Sequence, residues 1–344
     1  MNFKLKSKKR LTTMLILLSL FLLIFSACSN GKTGTGEKDT IVLADAQWES
    51  IQLHNSIAQI FIEEGFGYKT DIISGSTSVT FLGLIEGDID VYMESWVQNI
   101  TDIYEPAIER GDIIEVSSNF DDNRQGLYVP TYMIEGDPER GIEPMAPDLK
   151  TVKDLPKYKD LFIDEEDPTK GRIYGSPPGW EVDTILRKKF DTYNLGDDFV
   201  YTSPGSSAGL ATSLGTSYES GEPWVGYYWE PEWVFAKYDI TLLDDEPYSD
   251  ELWTEEAGYA CEWPAVDVTV AVHKDLKEKA PDVVEFLSHY KTSKDLTNET
   301  LLYMQEKGTD DTYETAKWFL REHEDLWADW APAEVIEKVK EAIK

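Results

Sequence analysis

In the stretch GYYWEPEW, residues 226–233, two carboxylates, Glu230 and Glu232, stand among four aromatic rings. Paired carboxyls beside ring platforms could cleave a glycosidic bond, ring faces could cage a cation, or the segment could simply end a well-packed strand. A glycoside hydrolase needs two carboxyls flanking the scissile bond, about 5–9 Å apart. Two glutamates on one strand end approach from the same side. Asp88 and Asp90 in GDID open a strand, where Asp completes turn hydrogen bonds. No catalytic residue is therefore expected, and the hydrolase remains a distant alternative.

The tryptophans carry more information. Trp318, Trp327 and Trp330 fall at apolar spacing in a helical tail and Trp224 within a strand, all positions that predict packing. Trp48, Trp96, Trp180, Trp229 and Trp233 instead lie in turns directly after predicted strands, beside Gly, Pro, Ser or Glu. In SPPGWEVDTIL (176–186) a rigid Pro-Pro-Gly turn leads through Trp180 into a helix whose first N–H groups have no intrahelical partner. Such a terminus receives carboxylates through free donors and the helix dipole. A quaternary ammonium donates no conventional hydrogen bond, so indole faces suit it, at roughly 1–2 kcal/mol per desolvated contact.

Positioning these rings requires strands that end at a common cleft. TIVLADA (40–46), KTDII (69–73) and DIDVYMESW (88–96) read as strands alternating with helices over 51–64 and 78–86. After QGLYVPTYMI (125–134) a second series repeats the rhythm, with helices near 181–190 and 206–217 and strands at DFVYTSP and PWVGYYWEP. AVDVTVAVH (265–273) is a further strand, and the rest reads as helical. Both series run from a small-residue loop through a helix and an acidic glycine turn to a strand ending in Glu and Trp. The expectation is an α/β protein of two lobes facing across a cleft, since open α/β sheets bind ligands outside the carboxyl ends of their strands.

The chain has 344 residues, long enough for about two domains, with 65 acidic against 32 basic residues. That balance argues against nucleic acid. Residues 1–27 hold five basic residues and no acid before an apolar run that reaches FSAC, which resembles a bacterial lipoprotein box with Phe25 as a departure. A signal peptide over 1–27, lipid attachment at Cys28 and a flexible tether over 28–39 are expected. The processed chain would keep 27 basic and 65 acidic residues, a formal charge of −38. If Cys28 is acylated, Cys261 has no disulfide partner. Four scattered histidines predict no metal site.

Taken in order, ADAQWES, GDIDVYMESWVQN, QGLYVPTYM, GSPPGWE, YYWEPEWVFAKYDITLLDD and VDVTVAVHKDL resemble the glycine betaine/proline betaine-binding proteins of ABC importers, from about Thr40 onward. The resemblance implies a two-lobed periplasmic-binding-protein fold, type II-like, that closes on its ligand and needs no cofactor. It implies a cage of Trp96, Trp180 and Trp229 around a trimethylammonium, with Trp48 as a further contributor, and the Glu181 and Val182 amides on a carboxylate. Trp233 and Glu232 complete the candidate set. Implied partners are a permease with its ATPase and the membrane, reached through the lipid anchor on the extracytoplasmic face, for a receptor acting as a monomer. Relatives carry neutral or basic residues where this chain has Glu230 and Glu232, which would favour choline, carnitine or another methylated amine. Strand alternation, however, turns Glu230 away if Trp229 faces the cleft. Lobe 1 is expected over 40–126 plus 265–344 and lobe 2 over 127–264, with the hinge near QGLYVP and PAVDVTV.

Overall fold

A computed structural model describes residues 39–265 and 267–344. The expected signal peptide, nearly all of the tether and Cys28 lie outside the described residues.

The longer elements run β1 (Thr40–Asp45), α1 (Glu49–Ile60), β2 (Lys69–Ser74), α2 (Thr77–Glu86), β3 (Val91–Trp96), α3 (Thr101–Arg110), β4 (Ile113–Phe120) and β5 (Arg124–Pro130). They continue with β6 (Gly171–Tyr174), α4 (Val182–Thr192), β7 (Phe199–Thr202), α5 (Ser207–Ser220), β8 (Gly226–Glu230), α6 (Trp233–Lys237), β9 (Ile240–Leu242) and β10 (Val268–His273). The C-terminal part is helical: α7 (Pro281–His289), α8 (Lys294–Lys307), α9 (Thr312–Glu322) and α10 (Ala333–Ala342).

Two five-stranded sheets form, ordered β2-β1-β3-β10-β4 and β7-β6-β8-β5-β9. They have one topology. In each, three parallel strands are followed by a fourth that runs antiparallel to its neighbours on both sides, and this fourth position is filled by a strand adjoining a passage between the sheets. The chain leaves the first sheet after Phe120 and returns to it at Val268, so β10 completes the sheet that β1 began. Strands β3 and β10 are buried at every position, as strands covered on both faces must be.

The likeness of the two series extends to their helix ends. Ser76 and Ser206 each accept a hydrogen bond from the backbone N–H three residues on, Val79 and Gly209. Gly87 and Gly221 close the same helices at φ of 84° and 70°, a left-handed backbone that glycine adopts without strain.

The tail tryptophans are core, as expected of their spacing. Trp327 and Trp330 pack on Phe61 at 5.5 and 5.8 Å, and Trp318 stacks on Tyr303 at 3.9 Å. Trp224 is buried but precedes β8 instead of lying within it; its ring stacks on Tyr174 at 5.8 Å, and the strand begins only at Gly226. Helix α8 makes a connection that the series did not suggest. It packs along α6, next to the second sheet, while Gln305 near its far end donates to Glu49 at the start of α1, at 3.2 Å.

Candidate functional site

Four of the five strand-end tryptophans converge. Trp48 follows β1 and Trp180 follows β6, the matching strands of the two sheets; Trp96 ends β3 and Trp229 lies near the end of β8, again a matching pair. Each half thus supplies two indoles from equivalent places. All four line one cavity and retain at most 7% of their surface exposed.

Trp180 stands at right angles to both of its neighbours, 5.7 Å and 85° from Trp48 and 4.9 Å and 89° from Trp229. Tyr227 and Tyr228 stack on Trp229 at 5.8 and 5.6 Å and fix its plane. Trp96 closes the lining from the first sheet, its ring braced edge-on by Phe120 at 5.9 Å. Perpendicular indole walls offer several ring faces to one point, the arrangement that attracts a cation.

Glu181 and Val182 also line the cavity, at the amino end of α4, where no side chain caps the helix. The Asp183 and Thr184 amides bond back to the Trp180 and Glu181 carbonyls at 3.1 Å, which leaves those of Glu181 and Val182 for an oxygen-bearing group. The halves meet beside it: the Thr77 amide donates to the Gly179 carbonyl at 3.1 Å and the Ser78 hydroxyl to Glu181 Oε2 at 3.2 Å. Gly179 is held at φ 94°, which a side chain would strain.

Glu232 and Trp233 are not brought to this cavity. Glu232 is buried at the start of α6, where its carboxylate accepts from the Trp233 amide at 2.8 Å and its own amide donates to Asn298 Oδ1 at 2.7 Å. Burial, with Glu49 nearby, raises its pKa well above the usual carboxylate range. Trp233 packs against Tyr238 and lines a separate groove. Glu230 pairs with Lys294 of α8 at 3.6 Å, outside the cavity lining, in keeping with strand alternation.

Beside Glu181, a second acid lines the cage: Glu94, in the motif ESW. The signal available was period two: Tyr92, Glu94 and Trp96 share one face of β3, and all three line the cavity. Glu94 is fully buried. Its Oε2 accepts from the Trp48 indole and from Ser50 Oγ at 3.0 Å, and the nearby Trp96 indole favours its charged form. One carboxylate therefore holds the Trp48 wall and lies beside the Trp96 wall.

Behind it, His54 Nε2 lies 3.4 Å from Glu94 Oε1, and His54 Nδ1 pairs with Tyr290 OH at 2.7 Å. Burial depresses His54 to about 3, so this contact is a neutral imidazole against a carboxyl and not an ion pair. Burial pushes Glu94 up to about 7, against the pull of its donors. A carboxyl titrating near 4.5 unfolded and near 7 folded contributes stability that is complete below 4.5 and lost as pH rises through 7. His54 acts oppositely, but only below 6.5. Scanning calorimetry of the ligand-free protein from pH 6.5 to 8.5 is therefore expected to show wild type losing Tm relative to Glu94→Gln. A constant difference over that range would contradict the assignment.

Among the described residues no cluster of His, Cys, Asp or Glu could hold a metal, and no helix is long and apolar enough to cross a membrane.

The family described as the substrate-binding domain of ABC-type glycine betaine transport systems matches residues 39–322. The glycine betaine/carnitine transport binding protein GbuC of Listeria monocytogenes is 26% identical over 169 residues, 48% of this chain and 50% of that protein. Among solved structures, the glycine betaine/L-proline-binding protein ProX of Borrelia burgdorferi superposes with a TM-score of 0.70 at 19% identity, covering 87% of this chain and 99% of that one. An ABC-transporter choline-binding protein in complex with choline gives 0.69 at 23% identity, covering 89% and 98%. These structural likenesses establish the two-lobed fold.

Proposed function

We propose that this chain, which belongs to the family of substrate-binding domains of ABC-type glycine betaine transport systems, captures a quaternary ammonium compound in the cavity walled by Trp48, Trp96, Trp180 and Trp229. It is a transport receptor and not an enzyme. The observation that carries the ligand reading is the perpendicular stance of Trp180 to both Trp48 and Trp229, at 85° and 89°, in one buried cavity. Ring faces supply the attraction to the ammonium, and the Glu181 and Val182 amides take the oxygen-bearing end of a betaine-, carnitine- or choline-type ligand. Glu230 and Glu232 serve the packing of α8 instead of the ligand.

In this reading the halves built around the two sheets are the lobes, divided near residues 126 and 265, and ligand shifts their population from open to closed. Cys28 carries the lipid that holds the monomeric receptor at the extracytoplasmic face, where the closed form meets the permease.

Isothermal titration of the wild-type protein with glycine betaine, proline betaine, carnitine and choline tests it. At least one is expected to bind in the micromolar range, on the order of −8 kcal/mol. Absence of measurable binding by all four would overturn the reading.

A further inference from the structure

The cavity lining holds two carboxylates, Glu94 and Glu181, and among the described residues no Lys, Arg or His lines it. The two acids differ in kind. Glu181 is partly exposed and accepts from Ser78 across the cleft. Glu94 is buried in the middle of β3, where the cavity holds it away from water.

What surrounds Glu94 is polar but uncharged. Its donors are the Trp48 indole and Ser50, with the Trp96 indole close by, and the His54 ring beside Oε1 is neutral; Oε1 and His54 Nε2 each lack a well-formed hydrogen bond. The other titratable groups that feel its charge, Glu232, Tyr92 and Tyr290, are acids held toward their neutral forms, and none supplies a positive charge. A buried carboxylate without a cation is costly, and no basic side chain of this chain stands in the cavity to balance it.

We propose that the ligand is that missing counter-ion: Glu94 is a specificity-determining residue that favours a net monocation of the choline type over a zwitterion such as glycine betaine. The inference rests on the quaternary ammonium reading of the cage and deepens it. A choline-type cation brings one positive charge to the ring faces and a hydroxyl that the α4 amides can meet. A zwitterion brings a third carboxylate into the same low-dielectric cavity, where it is repelled by Glu94 and by Glu181 at the very turn whose amides would receive it.

The test is calorimetric titration of the full chain at pH 8.5 with choline, glycine betaine and tetramethylammonium, the last reporting charge without a hydroxyl. Wild type is expected to bind choline about tenfold or more tightly than glycine betaine, as a like-charge contact in a buried site requires. Glu94→Gln keeps the side chain's shape and an acceptor for the indoles. It is expected to weaken choline and tetramethylammonium by about tenfold while changing glycine betaine by no more than about threefold. Equal losses for all three ligands would reduce Glu94 to a residue that positions indoles, and a wild-type preference for glycine betaine would overturn the proposal even if the variant failed to fold. Binding of none of them by folded wild type would instead sink the ammonium reading on which it rests.

Discussion

Trp180→Ala is expected to weaken ligand capture by about two orders of magnitude, roughly 3 kcal/mol, without unfolding the protein. Trp180 is the ring in edge contact with both Trp48 and Trp229, so it joins the indoles of the two halves. Removing it deletes one desolvated cation–ring contact, about 2 kcal/mol, and loosens two aromatic pairs of about 0.5–1.5 kcal/mol each that hold the remaining walls upright. The side chain lies at a cleft, in a turn already shaped by two prolines and Gly179, so the fold does not hang on it. Trp180→Phe, which retains a smaller ring face, is expected to recover part of the loss. Titration beside circular dichroism decides the matter. Near-normal affinity in a folded Trp180→Ala protein would remove the cage from the account.

Asp245→Ala is expected to destabilise the protein by about 3–5 kcal/mol, the cost of stranding a buried charge. Lys189 of α4 is 7% exposed, and its ammonium meets Asp245 Oδ2 at 2.9 Å. The same ammonium donates to the Tyr259 carbonyl at 2.7 Å and to the Cys261 carbonyl, and lies over the Trp263 ring at 4.7 Å. Burial draws its pKa down, so the carboxylate keeps the charge in place, and Tyr193 donates to that carboxylate in turn. These contacts tie α4 to the irregular segment 243–264, which carries little secondary structure of its own. Chemical denaturation should show the midpoint falling steeply for Asp245→Ala. The double variant Lys189→Met/Asp245→Leu should lose less than the two single changes summed, because it leaves neither charge alone. A cost for Asp245→Ala below about 1 kcal/mol would show that the pair does not hold the segment.

Much of this arrangement could be read from the chain. Alternating βα units, two small-residue loops ahead of helices, and indoles placed directly after strands foretell two like sheets with rings at one edge, and Trp48, Trp96, Trp180 and Trp229 meet as strand ends in an open α/β fold do. Three features escaped. Glu94 shares one face of β3 with Trp96 by period two, but a carboxylate in a strand carries no local sign that it is enclosed behind indoles. Pro231 ends the strand and leaves the direction of Glu232 and Trp233 open in the sequence; the chain there turns into a short helix whose first amide is capped by Glu232 itself, a residue outside the usual capping set. The partner that fixes their direction, Asn298 on α8, lies 66 residues away, and no local pattern can report a contact set by the packing of a returning helix. The second sheet also begins earlier than the composition suggests, at Arg124, because β5 pairs with β8 along its full length up to Arg124 opposite Glu230.

The equal division of the four indoles between matching strands has a consequence beyond the cavity. Either half alone presents only two walls and an incomplete enclosure, so occupancy and shape are one variable: whatever fills the box also fastens the halves. A change far from any indole that props the cleft open, for example at the Thr77–Gly179 contact, would lower apparent affinity without touching the ligand. A protein that reads both halves at once would then measure, in a single encounter, whether the receptor is loaded.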